Sequence, residues 1–203
     1  MYDDITGIIL SGGKSSRMGT NKSFLKLGGK TMLEIIIERS KKIFKETILI
    51  TNDPDIYSKY EISTYTDIYK NFGPIAGLHS GLMNSNTEKN FLLSCDIPFL
   101  DEKSIEFIIN YFSDSNCIVP KAEGFVQHMC GLYNKSLLPQ IESILKDVVK
   151  EKKDKKSCKM GSLVKQSDGI IIDFEKEYPD YKSKLFLNIN SRDDFEMALK
   201  EFE

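Results

Sequence analysis

The run Ile5-Thr6-Gly7-Ile8-Ile9-Leu10 carries no charge, is rich in β-branched residues and ends one residue before the pair Gly12-Gly13. A short apolar run of this kind is the pattern of a strand covered on both faces in a parallel sheet. The residues just after such a strand emerge at the sheet's carboxyl edge, where open α/β folds bind their ligands. Gly12 and Gly13 lack a Cβ, so the backbone can take positive φ and bring its N–H groups up to a phosphate or a base edge. Arg17 and Lys22 add charge to the same loop, one as a planar fork and one as a mobile point charge, and both suit a triphosphate or a leaving pyrophosphate. A glycine-rich turn with solvated lysines remains the alternative for the glycines taken alone.

A P-loop is excluded by spacing. Gly13-Lys14-Ser15 has the tail of G-x-x-x-x-G-K-S/T, but the first glycine falls on Ile8, and for Gly29-Lys30-Thr31 it falls on Phe24.

The rest of the chain predicts alternation of strand and helix. Helices are expected over 32–44, 75–83, 101–112, onward from Ser136, and from Asp193 to the end. Strands are expected over 46–51, 63–66, 90–94, 117–119, 126–133, 169–173 and 185–189. Gly73-Pro74 opens the second helix, and the 126–133 strand is expected to run antiparallel at an edge. Ser191 stands at an N-cap, with Asp194 in place of the Glu or Gln of a full capping box. Alternation with helices of about ten residues argues for a mostly parallel sheet with helices on both faces. At 203 residues the chain suits one well-buried domain.

Composition narrows the partners. With 28 basic and 30 acidic residues there is no charge bias toward nucleic acid or membrane. No apolar run approaches the roughly 20 residues of a membrane span, and Asp3 and Asp4 argue against a signal peptide, so a soluble, cytoplasmic protein is expected. Cys95, Cys117, Cys130 and Cys158 form no C-x-x-C pair, which indicates neither a zinc site nor a disulfide framework. Lys150 to Lys159 is lysine-dense and reads as a solvated loop.

Asp96 comes after the apolar run Phe91-Leu92-Leu93 and precedes Pro98, so its carboxylate should stand at the same sheet edge as the glycine loop. One carboxylate plus phosphate oxygens and water is what Mg²⁺ takes from nucleotide enzymes; an Asx-turn before Pro98 is the bland alternative. Asp67 ends a short strand as well. His79 lies within a predicted helix and is assigned a structural role. His128 falls within a predicted strand.

Leu10-Ser11-Gly12-Gly13 through Arg17-Met18-Gly19 to Lys22 resembles the nucleotidyltransferase signature L-x-G-G-x-x-x-R-M-G-x-x-K, most closely that of the molybdenum cofactor guanylyltransferases. Gly73-Pro74-Ile75-Ala76-Gly77-Leu78 is similar to that family's G-P-L-A-G-L, Cys95-Asp96-Ile97-Pro98-Phe99 to its C-D-x-P-F, and Asn188-Ile189-Asn190-Ser191 to its N-x-N-S/T. The four blocks keep the family's order and span nearly the whole chain. The chain departs at Ser11, where the family usually has alanine, and at Met129, where a proline commonly comes after the histidine.

The resemblance implies a single three-layer α/β/α domain over 1–203 with a Rossmann-like, glycosyltransferase-A-type sheet, its nucleotide part about 1–100 and its acceptor part about 101–203. It implies transfer of GMP from GTP to the terminal phosphate of molybdopterin, or of Mo-molybdopterin, with Mg²⁺ as cofactor. It places Leu10, Ser11, Gly12, Gly13, Lys22, Asn52, Asp67, Gly77 and Asp96 at the nucleotide, Asp96 at the metal, and Arg17, Lys22 and Asp96 at the chemistry. His128, Asn188 and Asn190 fall to the acceptor. Transient contacts with other cofactor-biosynthesis proteins fit the same picture. A cytidylyltransferase, a sugar-1-phosphate nucleotidyltransferase and a non-catalytic nucleotide-binding regulator are the competing readings.

Overall fold

The computed structural model describes residues 1–12, 21–112, 114–150 and 159–202, with the side chains of 149 and 150 set aside. In chain order the elements are β1 (Tyr2–Leu10), β2 (Lys26–Leu27), β3 (Lys30–Thr31), α1 (Met32–Ile43), β4 (Phe44–Ile50), β5 (Ser63–Tyr65), α2 (Pro74–Asn84), β6 (Lys89–Ser94), α3 (Glu102–Ile109), β7 (Cys117–Ala122), β8 (Phe125–Val126), β9 (Gly131–Asn134), α4 (Leu138–Lys150), α5 (Met160–Gln166), β10 (Ile170–Asp173), α6 (Phe174–Glu177) and α7 (Arg192–Phe202).

The main sheet is ordered β10-β7-β9-β6-β1-β4-β5, with β8 paired to β7. β1 is parallel to both β4 and β6, β4 to β5 and β7 to β10; the exceptions are β9, antiparallel to β6 and β7, and the short β8. Side chains of β1 alternate faces. Ile5 and Ile9 pack with Leu33 and Ile36 of α1, Ile105 and Ile108 of α3 and Phe174 of α6. Ile8 faces the other way, onto Ile75, Leu78 and Leu82 of α2, Ile141 and Leu145 of α4 and Leu163 of α5. The result is a three-layer α/β/α domain. A third, smaller cluster joins Leu27, Met32 and Ile35 to Ile189 and Ala198 of α7.

Helix starts obey their local chemistry. Thr31 and Glu34 form a reciprocal capping box on α1, and Asp101 Oδ1 accepts from Ser104 N at 2.8 Å to start α3. Ser191 Oγ accepts from Asp194 N at 3.2 Å while Asp194 Oδ2 accepts from Ser191 N at 2.7 Å, so the expected cap on α7 forms with Asp doing Glu's part.

Three expectations are corrected. The 126–133 strand is two short strands, and β9 lies inside the sheet, between β6 and β7, rather than at an edge. Pro120 of β7 has no N–H to give a ladder, and its carbonyl accepts from Gln127 N at 2.8 Å where the chain leaves β8. Residues 185–189 form no strand: Ser183–Phe186 is a 3₁₀ turn, with Leu187 N donating to Lys184 O at 3.1 Å. The third helix stops at Ile109, because Asn110 turns its side-chain amide back onto the Glu106 carbonyl and Phe112 beyond it is fully exposed. The 151–158 part of the lysine-dense stretch, Cys158 included, lies outside the described residues; Cys95, Cys117 and Cys130 are buried free thiols. Among the described residues no helix is long and apolar enough to cross a membrane.

Candidate nucleotide site

Four parallel strands end in one row. Leu10 of β1 lies opposite Ile50 of β4 and Ser94 of β6, and Ile50 lies opposite Tyr65 of β5. The ladder continues one step further, with Ser11 N donating to Ile50 O at 3.0 Å, Thr51 N to Tyr65 O at 2.9 Å and Cys95 N to Leu10 O at 3.4 Å. Gly12, Asn52, Asp67 and Asp96 are each the second residue past that row, so all four leave the sheet along its carboxyl edge. The β1/β6 boundary is also where the strand order reverses, the usual position of a ligand crevice in an open α/β sheet.

On the β4–β5 side, Asn52 Nδ2 donates to Asp67 Oδ2 at 2.8 Å. A Cβ on Gly12 would come 4.0 Å from the Asn52 backbone nitrogen, so the glycine loop starts beside this pair. Partial burial raises the Asp67 pKa, and the bond from Asn52 opposes the rise. Gly77 is buried in α2, and a Cβ there would lie 3.0 Å from Leu10 Cδ1, so it supplies room for α2 to press against the end of β1. Gly73, at φ 71°, adopts a backbone that L side chains rarely take and starts α2 without a side-chain cap.

On the β6 side, Asp96 Oδ1 is buried without a hydrogen-bond partner. Removing a carboxylate oxygen from water and leaving it unpaired costs free energy that a cation would recover. The loop around it is held: Asp96 O accepts from Ile189 N at 2.9 Å, and Pro98 O accepts from Arg39 Nη1 at 2.8 Å. Burial lowers the Arg39 pKa, while Asp101 and Glu102 pull it back. No group of three or more His, Cys, Asp or Glu able to hold a metal occurs among the described residues. Asp96 alone fits Mg²⁺, which in nucleotide enzymes takes most of its ligands from phosphate and water, and does not fit a metal that needs an all-protein cage.

The Ile189–Asp96 bond also sets Asn190 near the site. Lys22 Nζ donates to Asn190 Oδ1 at 2.8 Å, which ties the 3₁₀ turn at Lys22 to the segment leading into α7. Asn188 Nδ2 reaches Gln127 Oε1 at 3.3 Å, so Asn188 and Asn190 serve different neighbours. His128 sits in a turn rather than a strand and packs against α5, where a Cβ on Gly161 would lie 3.1 Å from its Nε2. Burial lowers the His128 pKa. Gly13 and Arg17 lie outside the described residues.

Below the loop, Ser11 is turned away from the edge. Its Oγ lies 2.7 Å from Ser23 Oγ and donates to Tyr57 OH at 3.0 Å. Asn21 Nδ2 donates to the same hydroxyl at 3.0 Å, and Asn21 Oδ1 accepts from Ser23 N at 3.1 Å. The Cys95 thiol borders both serines, and burial pushes its pKa up to about 12. Sequence reading missed Tyr57, Asn21, Arg39 and Gln127. Only Asn21 carried a local signal, an Asx cap two residues before Ser23, whereas Tyr57 meets Ser11 across 46 positions.

The MobA-like NTP transferase domain matches residues 7–159. The probable molybdenum cofactor guanylyltransferase of Clostridium perfringens strain 13 is 31% identical over 202 residues, 96% of each chain. That of Peptoclostridium acidaminophilum is 33% identical, with 93% of this chain and 86% of the relative covered. Among solved structures, the molybdopterin-guanine dinucleotide biosynthesis protein A of Archaeoglobus fulgidus superposes with a TM-score of 0.81 at 22% identity, over 97% of both chains, a likeness of fold.

Proposed function

This chain belongs to the MobA-like NTP transferase domain family, and from that premise we propose that it transfers GMP from GTP to the terminal phosphate of molybdopterin, or of Mo-molybdopterin. In this reading Leu10, Ser11, Gly12 and Gly13 hold the nucleotide through backbone groups, and Asn52 with Asp67 takes its nucleoside end. Gly77 backs the floor under Leu10. His128, Asn188 and Asn190 serve the acceptor, with the nucleotide part near residues 1–100 and the acceptor part near 101–203.

A phosphate oxygen of the acceptor attacks the α-phosphorus of GTP in line, forming a new P–O bond. The bond from the α-phosphorus to the α–β bridging oxygen breaks, and its electron pair leaves with pyrophosphate. The nucleophile is already an anion near neutral pH, so no general base is needed, and the work is positioning and charge neutralisation. Lys22 and Arg17 offset charge on the α-phosphate and the leaving group. An ammonium has three donors, so Lys22 can keep Asn190 while reaching a phosphate oxygen. Asp96 would hold Mg²⁺, which would supply Lewis-acid neutralisation of phosphate charge when bound.

The observation that supports this most is the buried, unpaired Asp96 oxygen at the strand-order reversal. The test is titration of the protein with GTP, CTP, UTP and ATP in Mg²⁺, read by thermal stabilisation, with pyrophosphate release measured once molybdopterin is supplied. GTP-selective binding and acceptor-dependent pyrophosphate are expected. CTP selectivity would move the chain to cytidylyl transfer, and binding without turnover would overturn the acceptor.

A further inference from the structure

The glycine loop has two flanks, and they are fixed by different means. The upstream flank is part of the sheet, since Ser11 N donates to Ile50 O at 3.0 Å as a continuation of β1. The downstream flank, Asn21-Lys22-Ser23, lies in no sheet; it is a 3₁₀ turn, Lys22–Phe24, capped by Asn21. Its side-chain ties to the sheet end run through a buried set of hydroxyls. Asn21 Nδ2 donates to Tyr57 OH at 3.0 Å, Ser11 Oγ donates to the same oxygen at 3.0 Å, and Ser23 Oγ meets Ser11 Oγ at 2.7 Å. Phe24 stacks on the Tyr57 ring with centroids 5.4 Å apart.

Tyr57 is 1% exposed, and Ser11 and Ser23 are buried with it. It belongs to the 3₁₀ segment Pro54–Tyr60, which leaves β4 directly after Asn52 and Asp53. One hydroxyl thus touches residues on both sides of the loop, from the β4–β5 connection that begins beside Asn52. Hydrogen bonds in a buried chain of this kind reinforce one another, and losing the shared acceptor removes two of them at once.

We propose that Tyr57 is a positioning residue for the nucleoside triphosphate: its hydroxyl sets where Asn21, and with it Lys22, stands relative to the end of β1. The inference rests on the reading of this edge as a triphosphate site. It assigns Tyr57 no contact with substrate.

The decisive variant is Tyr57→Phe, which keeps the ring and its stacking on Phe24 and removes only the shared oxygen. The KM for GTP should rise about tenfold, the size expected when one or two buried hydrogen bonds that hold a binding group are lost. The KM for molybdopterin should rise clearly less than that for GTP, because Tyr57 reaches the acceptor side only through Lys22 and its bond to Asn190. A general loosening of the fold would raise both together, and that result, or an unchanged KM for GTP, overturns the proposal. Should Tyr57→Phe fail to fold, Asn21→Ser decides: serine still caps the 3₁₀ turn but does not span to Tyr57. Where both fold, the double variant should be no worse than Tyr57→Phe by more than about twofold, whereas fully additive losses count against a shared role. The reading of function is separable by running the same variants as Mg²⁺–nucleotide binding titrations. Wild-type binding without turnover overturns only the acceptor, and the Tyr57→Phe affinity still decides the positioning role. Failure of wild type to bind any triphosphate overturns both.

Discussion

Asp96 and Asp67 leave the same sheet edge but are treated differently by their surroundings. Asp96 Oδ1 is buried and unpaired, so Asp96→Ala relieves a local cost while removing the residue assigned to the metal. Turnover should fall at least about a hundredfold, roughly 2.7 kcal/mol of transition-state stabilisation, with a melting temperature no lower than wild type. Pyrophosphate release and a thermal melt check the two halves, and a near-normal rate would sink the assignment of roles. Lys22→Ala should lower turnover by a similar factor, since it removes the charge proposed to face the leaving group. Asp67 titrates upward because burial disfavours its charged form. A raised carboxyl pKa means the folded state holds its proton more tightly than the unfolded chain, so that contribution to stability is full below the ordinary aspartate range and is lost as pH rises through the raised value. Asp67→Asn should therefore melt higher than wild type near neutral pH, and the gain should shrink as pH falls through the raised value, where Asp67 itself takes up its proton. Melts of both proteins across that range test it. At this scale the sequence was readable where chemistry is local. Gly12, Asp67 and Asp96 were read as following strand ends, and the strands do end two residues before them, while the roles expected of them and of Lys22 came from the family resemblance; Tyr57 and Arg39 gave no local sign, because their partners lie far away in the chain.

Helix α2 shows how an element can be held by what its residues lack. A Cβ on Gly81 would lie 2.6 Å from Ile8 Cγ2, deep between α2 and β1. Gly81→Ala gains helix propensity of about 1 kcal/mol but overpacks the interface at a cost of typically ~1–3 kcal/mol. Net destabilisation is expected, read as a lower midpoint in urea with an unchanged slope. His79, 3% exposed on the same helix, packs edge-on to Tyr69 and stands 3.6 Å from Glu142 of α4, which is paired with Lys146. Burial lowers its pKa, with Glu142 opposing. The folded state therefore binds this proton less readily than the unfolded chain, and stability should decline as pH falls below the ordinary histidine range, less so in His79→Leu. The structural role read for His79 from its helix position agrees with this packing. Most element boundaries were legible because apolar periodicity records burial directly. The failures share one cause. Residues 185–189 and 126–133 have the apolar character of strands, yet only a neighbour with free N–H and C=O groups makes a strand. Pro120 withdraws such a neighbour in the second case. In the first, Leu185 and Phe186 bury into the core from a 3₁₀ turn, and Ile189 makes a single bond to Asp96.

Across the whole molecule, the α/β/α layering came from the alternation of elements, but the position of β9 inside the sheet did not, since strand order is written in no local pattern. Near the β1–β6 edge the segment before α7 meets both the first and the middle part of the chain: Asn190 meets Lys22 and Ile189 meets Asp96. Saturating Mg²⁺–GTP at 100 times its Kd should add about 2.7 kcal/mol to global stability, in one cooperative transition rather than two. The buried thiols carry a further consequence. Cys95 lies beside Ser11 and Ser23, Cys117 on β7 and Cys130 just before β9, and burial raises the pKa of all three. An alkylating reagent can reach each of them only when its surroundings open, so the three rates form a set of internal clocks. Nucleotide should slow the Cys95 clock first, and the lag of the other two measures how far one bound ligand stiffens the protein beyond its own pocket.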